Sequence, residues 1–221
     1  MLTKKQKIFC IGSGKTGTSS LWKTFQHLGY NVGRMDGRYD LVPIPTNLEN
    51  NIEKIIEYCN SAQDFFQDCP FCYPDIYKHV EKTFPDAKFI LSVRPNAEIW
   101  VNSLINFLSN ISEIIPEERH LPSVKNKVIT HLAPYRVYEI FKYIYKTPDD
   151  DLFNKEILMS YYENYNKNIK NYFKDKKDKL LIIDLSEKDS FNRLLNFLNL
   201  KDTQTNGLKN FYHLNKSTYK T

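Results

Sequence analysis

Between Ile11 and Leu21 the chain reads IGSGKTGTSSL. Glycines, hydroxyls and a lysine in that order suit an anion-binding loop. The glycines let successive backbone N–H groups converge, and a helix starting after them adds partial positive charge. A nucleoside-triphosphate loop of the pattern GxxxxGK[ST] carries its lysine directly after the last glycine. There it spans the β- and γ-phosphates, and the next hydroxyl binds magnesium. Here Thr18 follows Gly17, and the loop's lysine is Lys15. The apparatus for a metal–triphosphate is incomplete.

A lysine early in the turn reaches across the mouth of the loop, which suits a smaller anion such as a 5′-phosphosulfate. Sulfuryl transfer moves a group with less charge than phosphoryl and depends less on a metal clamp. One ammonium on the bridging oxygen stabilises the charge that develops as the phosphate leaves. The expected ligands are Gly14, Lys15, Thr16, Gly17, Thr18, Ser19 and Ser20, with Lys15 as catalytic cation and no metal required. An acceptor hydroxyl or amine then needs a base. Asp68 is the first candidate, because it ends a strand on the edge where α/β sheets gather ligands. His120 and His131 are the alternatives.

These residues need a strand before the loop and a helix after it. Lys7–Ile11 (KIFCI) reads as a buried parallel strand, and Ser19 or Ser20 opens a helix that Gly29 stops. Tyr30–Gly33 reads as a second short strand. Thr46–Glu49 has capping-box spacing before the apolar positions Leu48, Ile52, Ile55 and Ile56. Asp64–Asp68 is a third strand, Pro74–Phe84 a helix, Lys88–Val93 the clearest strand, and Ala97–Leu108 the next helix. From Ser109 to Phe173 the pattern is helical, with breaks at Pro116, Pro122, Pro134 and Pro148. Leu180–Asp184 is the last strand and Ser190–Leu198 the last helix. Alternating strands and helices predict one α/β domain over residues 1–221. Its parallel sheet has about five strands covered by helices, and the helical stretch of about 109–173 is inserted before the last strand on the acceptor side.

Composition sets outer limits. The 221 residues carry a net charge of +5, which favours an anionic ligand without requiring nucleic acid. The run KDKKDK at Lys174–Lys179 reads as a solvated turn. Four cysteines, including the CPFC pair Cys69 and Cys72, lack the spacing of a zinc site and read as small, partly buried thiols. No apolar run is long enough to span a membrane, and none precedes the first strand as a signal segment would. The expectation is a soluble, cytoplasmic chain with no membrane span.

At these residues the sequence resembles sulfotransferases that use 3′-phosphoadenosine 5′-phosphosulfate (PAPS). IGSGKTGTSSL is similar to the 5′-phosphosulfate loop of a P-loop branch with the pattern GxxRTGTxSL, Lys15 taking the arginine's place. DCP at Asp68–Pro70, FPDAKFILSVRP at Phe84–Pro95, LLIIDLSEKDSFNRLLNFL at Leu180–Leu198 and FYHLNKS at Phe211–Ser217 extend the likeness. It covers roughly residues 7–104 and 180–217. The resemblance implies a strand-end arginine and a helix serine holding the cofactor's 3′-phosphate, here Arg94 and Ser103. They stand nine apart instead of the usual eight, so Asn102 is the alternative ligand. It also implies that the tail with His213 and Lys216 contributes to binding the product nucleotide, 3′-phosphoadenosine 5′-phosphate (PAP). The implied function is a sulfotransferase moving a sulfuryl group from PAPS to a hydroxyl or amine of a small-molecule or glycan acceptor. A P-loop small-molecule kinase and a non-catalytic PAP-binding module are the alternatives.

Overall fold

The computed structural model describes residues 6–33, 41, 51–112 (backbone alone for 108–112), 139–176 and 178–214. Elements run in the order β1 (Ile8–Cys10), α1 (Thr18–His27), α2 (Ile52–Cys59), β2 (Phe65–Phe66), α3 (Ile76–Thr83), β3 (Lys88–Ser92), α4 (Ala97–Ser112), a π-helical turn (Ile140–Tyr145), α5 (Lys155–Phe173), β4 (Leu180–Ile183), α6 (Ser190–Leu198) and a 3₁₀ turn (Asp202–Gln204). Two compact units divide the chain. One comprises Met1–Val42, Leu48–Val93 and Asn168–Thr221, and the other Pro43–Asn47 and Arg94–Lys167.

The first unit is built on a parallel sheet of four strands in the order β2-β1-β3-β4. Ile8 pairs with Phe65 on one side and Lys88 on the other, and Ile90 pairs with Leu181. Because β1 has β2 on one flank and β3 on the other, the chain reverses its direction of winding at β1. The carboxyl end of β1 is therefore the switch point at which open α/β sheets leave a crevice for ligands. The expected strand Tyr30–Gly33 is a single bridge, Val32 to Phe65. Four strands are therefore described instead of about five. The strand Asp64–Asp68 shortens to two residues, since the chain turns at the left-handed Asp68.

Apolar residues on both faces explain why the sheet is buried. Phe9 stacks on Phe66 at 4.9 Å between centroids and packs against Phe89. On the other face Ile8, Leu21, Phe25, Phe65, Ile90 and Leu194 share one core. Each such side chain withdrawn from water stabilises the fold by about 1.5–3 kcal/mol. Leu21 and Phe25 of α1 and Leu28 at its C-cap form one buried stripe, as their spacing predicts.

The lysine run departs from its expected role. Lys176 Nζ donates to Glu81 Oε2 at 2.7 Å, Lys179 donates to Oε1, and the Tyr172 hydroxyl donates to Oε2 at 3.0 Å. Glu81 is an inward-facing carboxylate of α3, so two lysines of the run serve as its counter-ions instead of facing water. Burial pushes the Glu81 carboxyl up, but the hydrogen bonds from Lys176, Lys179 and Tyr172 outweigh it and hold the group down at about 2.

The second unit has its own core of Trp100, Val101 and Leu104 from α4, with Phe141, Leu152, Phe153, Leu158 and Tyr162. Its helices start at asparagine caps. Asn96 Oδ1 accepts the Ile99 N–H at 2.8 Å, and Asn154 Oδ1 accepts the Ile157 N–H at 3.0 Å. Trp100 stacks on Tyr162 at 4.6 Å. The segments around Pro116, Pro122 and Pro134, the capping box at Thr46–Glu49, and His120 and His131 lie outside the described residues.

Candidate functional site

The chain leaves β1 at Ile11 and enters α1 at Thr18, and the turn between them is pinned by a directed chain of hydrogen bonds. Thr16 Oγ1 donates to the Ser13 carbonyl at 2.6 Å and lies 2.6 Å from Ser92 Oγ. A carbonyl cannot donate, so the single threonine proton goes to Ser13 and Ser92 must donate to Thr16. Ser92 Oγ also lies 3.6 Å from Cys10 Sγ, which leaves the thiol as donor to Ser92. Burial pushes the Cys10 thiol up to about 11, with the Asp68 charge adding to the effect, so it keeps its proton.

Two glycines are required by this geometry. A Cβ on Gly12 would lie 2.2 Å from Ser92 Oγ and 2.5 Å from the Ser92 carbonyl, so the loop backbone sits directly on the end of β3. Gly17 precedes α1 with φ 96° in the left-handed region, which favours glycine. Lys15 is also left-handed, at φ 70°, without being glycine. Such a conformation is uncommon for a lysine and persists where the surroundings hold it, here the Thr16 anchor one residue on.

The helix start carries the electrostatics. No side chain caps α1, and its first turn contains no acidic residue, so its backbone N–H groups and dipole are not answered from within the helix. Gly14 borders open space: a Cβ there would meet nothing within 4 Å. Asp68 comes to the same place, its Oδ2 accepting the Thr18 hydroxyl at 3.3 Å. Asp68 has φ 55°, and its carbonyl accepts the Cys72 N–H at 3.1 Å. The local turn thus fixes the carboxylate beside the helix start.

The tail runs antiparallel to α1. The Tyr212 N–H bonds Thr24 Oγ1 at 3.3 Å, and the Leu214 N–H bonds Ser20 Oγ at 3.1 Å. Further along, the Tyr212 hydroxyl meets His27 Nδ1 at 2.9 Å. Positions 20, 24 and 27 lie on one helix face, which explains the regular contact. Ser20 therefore serves the tail through its hydroxyl oxygen. His213 is exposed, and Lys216 lies outside the described residues.

The first unit thus brings together Gly14, Lys15, Thr16, Gly17, Thr18, Ser19, Ser20 and Asp68. Arg94, Asn102 and Ser103 belong to the second unit. There the Arg94 backbone N–H donates to the Tyr162 hydroxyl at 2.8 Å. Asn102 Oδ1 accepts Lys155 Nζ at 3.1 Å, whereas Ser103 is 8% exposed, on the helix side that carries Trp100 and Leu104. Ser92 and Cys10 were not candidates on sequence grounds. The signal for Ser92 is a polar residue directly after the apolar run Phe89–Leu91 of β3. Ser13 carries no such signal in the sequence: it is buried, and its hydroxyl has no hydrogen-bond partner among the described residues.

A family model described as a sulfotransferase domain matches residues 7–218 and so runs through both units. No curated protein matches the chain.

Proposed function

The chain belongs to the sulfotransferase domain family, and from that premise we propose that it transfers a sulfuryl group from PAPS to a hydroxyl or amine of a small-molecule or glycan acceptor, as one functional domain over both units. The observation that carries this reading is the uncapped start of α1 framed by Lys15, with Thr18 where a triphosphate loop has its lysine.

In this reading the N–H groups from Gly14 to Ser20 hold the 5′-phosphosulfate. Thr16 acts through the backbone, since its hydroxyl proton is committed to Ser13. Lys15 stabilises the bridging oxygen as its bond to sulfur breaks and the new bond from the acceptor oxygen or nitrogen to sulfur forms. Asp68, steadied by Thr18, takes the acceptor proton. Arg94 holds the 3′-phosphate with a two-pronged hydrogen bond. Ser103 is the second ligand, with Asn102 as the alternative, since its Oδ1 accepts Lys155 while its Nδ2 keeps its donors. Lys216 adds a charge from the tail. PAP leaves as product, and no metal takes part.

No helix among the described residues is long and apolar enough to cross a membrane. We place the reaction in the cytoplasm on the expectation of a soluble chain. The test is incubation with sulfur-labelled PAPS and a panel of phenols, amines and sugars. Label appearing on one acceptor class, with PAP released in equal amount, is the expected result. Label transfer from PAPS to none of them, alongside phosphate transfer from ATP, would favour the kinase alternative.

A further inference from the structure

The chain leaves β3 after Ser92, and its main-chain donors change partners there. The Val93 N–H still bonds a neighbouring carbonyl, that of Ile183, at 2.9 Å. The next N–H, of Arg94, goes to a side chain instead, the Tyr162 hydroxyl at 2.8 Å. Pro95 follows and has no N–H to give. Arg94 is therefore the last main-chain donor before Asn96, which caps α4 through its Oδ1. A phenol oxygen 68 positions away in sequence takes the place of a strand partner at this residue.

Tyr162 is itself held in place. It is buried, and its ring stacks on Trp100 at 4.6 Å between centroids and 12° between planes. Trp100 is fully buried on α4, and Ser103 lies one turn further along that helix, on the same face. One side chain thus makes two contacts of different kinds. Its oxygen holds the Arg94 backbone, and its ring holds the turn of α4 that leads to Ser103. A phenylalanine would stack and bury as well, so packing alone does not call for the hydroxyl. A two-pronged guanidinium contact depends on alignment, and a small displacement of the backbone that carries it weakens both prongs.

Resting on the proposed assignment of the 3′-phosphate to Arg94 and Ser103, we infer that Tyr162 is a positioning residue for that phosphate, fixing the Arg94 backbone through its oxygen and the Ser103 turn through its ring. The test is calorimetric titration of the full chain with PAP and with adenosine 5′-monophosphate, which is PAP without its 3′-phosphate. The proteins compared are the natural one, Tyr162→Phe, Arg94→Ala and the double variant. Tyr162→Phe should weaken PAP by roughly fivefold to tenfold, the worth of one hydrogen bond, and leave adenosine 5′-monophosphate unchanged. Beside Arg94→Ala the same change should weaken PAP no further, because no guanidinium is left to position. If Tyr162→Phe prevents folding, Trp100→Phe, which narrows the ring that Tyr162 stacks on, carries the comparison and should show the same selective loss. PAP affinity unchanged by the variant, both nucleotides weakened alike, or the full loss persisting beside Arg94→Ala overturns the inference while leaving the donor reading intact. Failure of the natural protein to bind PAP, or Arg94→Ala sparing PAP, overturns the assignment on which it rests.

Discussion

Thr16 Oγ1 and Ser92 Oγ stand 2.6 Å apart, and the proton between them runs one way, from serine to threonine, because the threonine proton is committed to the Ser13 carbonyl. The relationship clamps the loop between β1 and α1 to the end of β3. Thr16→Val keeps the shape and removes the hydroxyl, leaving a buried carbonyl and a buried serine short of a partner. It should destabilise the fold by about 1–3 kcal/mol, and Thr16→Ser should recover most of that. Urea denaturation checks the pair. Equal midpoints for the valine and serine variants would show that the clamp contributes nothing.

Lys15→Ala is expected to lower turnover by about 10²–10³ while leaving PAP affinity within a few-fold, as for loss of one preorganised charge donor. Lys15→Arg should retain part of the rate. PAP release under saturating PAPS measures both. A full rate in the alanine variant would remove Lys15 from the chemistry.

Arg94→Lys should weaken PAP but spare the analogue lacking the 3′-phosphate, since lysine cannot reproduce the guanidinium fork. Ser103→Ala should do the same by about 1 kcal/mol. Asn102→Ala should leave both ligands unaffected if Ser103 is the second ligand; a selective loss for PAP in Asn102→Ala instead would assign the role to the Asn102 Nδ2 donors. Competitive titration with the two nucleotides separates these cases. Equal weakening of both ligands by Arg94→Lys would make the arginine structural.

Acid should unfold the protein partly through Glu81. Its folded value of about 2 lies below the ordinary 4.5, so its contribution is present above 4.5 and disappears as pH falls from there towards 2. Solvent screening of the partly exposed lysines reduces what this shift is worth to roughly 1–2 kcal/mol. Glu81→Gln should reduce stability at neutral pH and flatten the decline between pH 4.5 and 2 in denaturant melts. A decline as steep in the glutamine variant as in the natural protein would place the acid sensitivity elsewhere.

Much of this was readable from the chain, for reasons the elements themselves show. The apolar centre of KFILS and the 3.6-residue period of Ser190–Leu198 located β3 and α6, because both follow from local burial pattern. Gly12 and Gly17 marked the loop because few residue types tolerate that backbone, whereas the left-handed Lys15 gave no such signal. What stayed hidden depends on contacts distant in sequence. Thr16 meets Ser92 across 76 positions, Ser20 meets Leu214 across 194, and Glu81 meets Lys179 across 98. Local pattern carries no trace of such pairings. The lysine run therefore read as a solvated turn, although two of its members face a carboxylate.

The most direct test of the central claim is calorimetric titration of the metal-free protein with PAP, set beside ATP with magnesium. If the loop before α1, with Lys15 early and Thr18 after Gly17, is the proposed anion cradle, PAP binds saturably at one site without any divalent ion. Thermal melts at a hundred times the dissociation constant should then show about 2.7 kcal/mol of added stability. ATP with magnesium should bind weakly or not at all. Binding of ATP–magnesium equal to or tighter than that of PAP would contradict the sulfuryl-donor account.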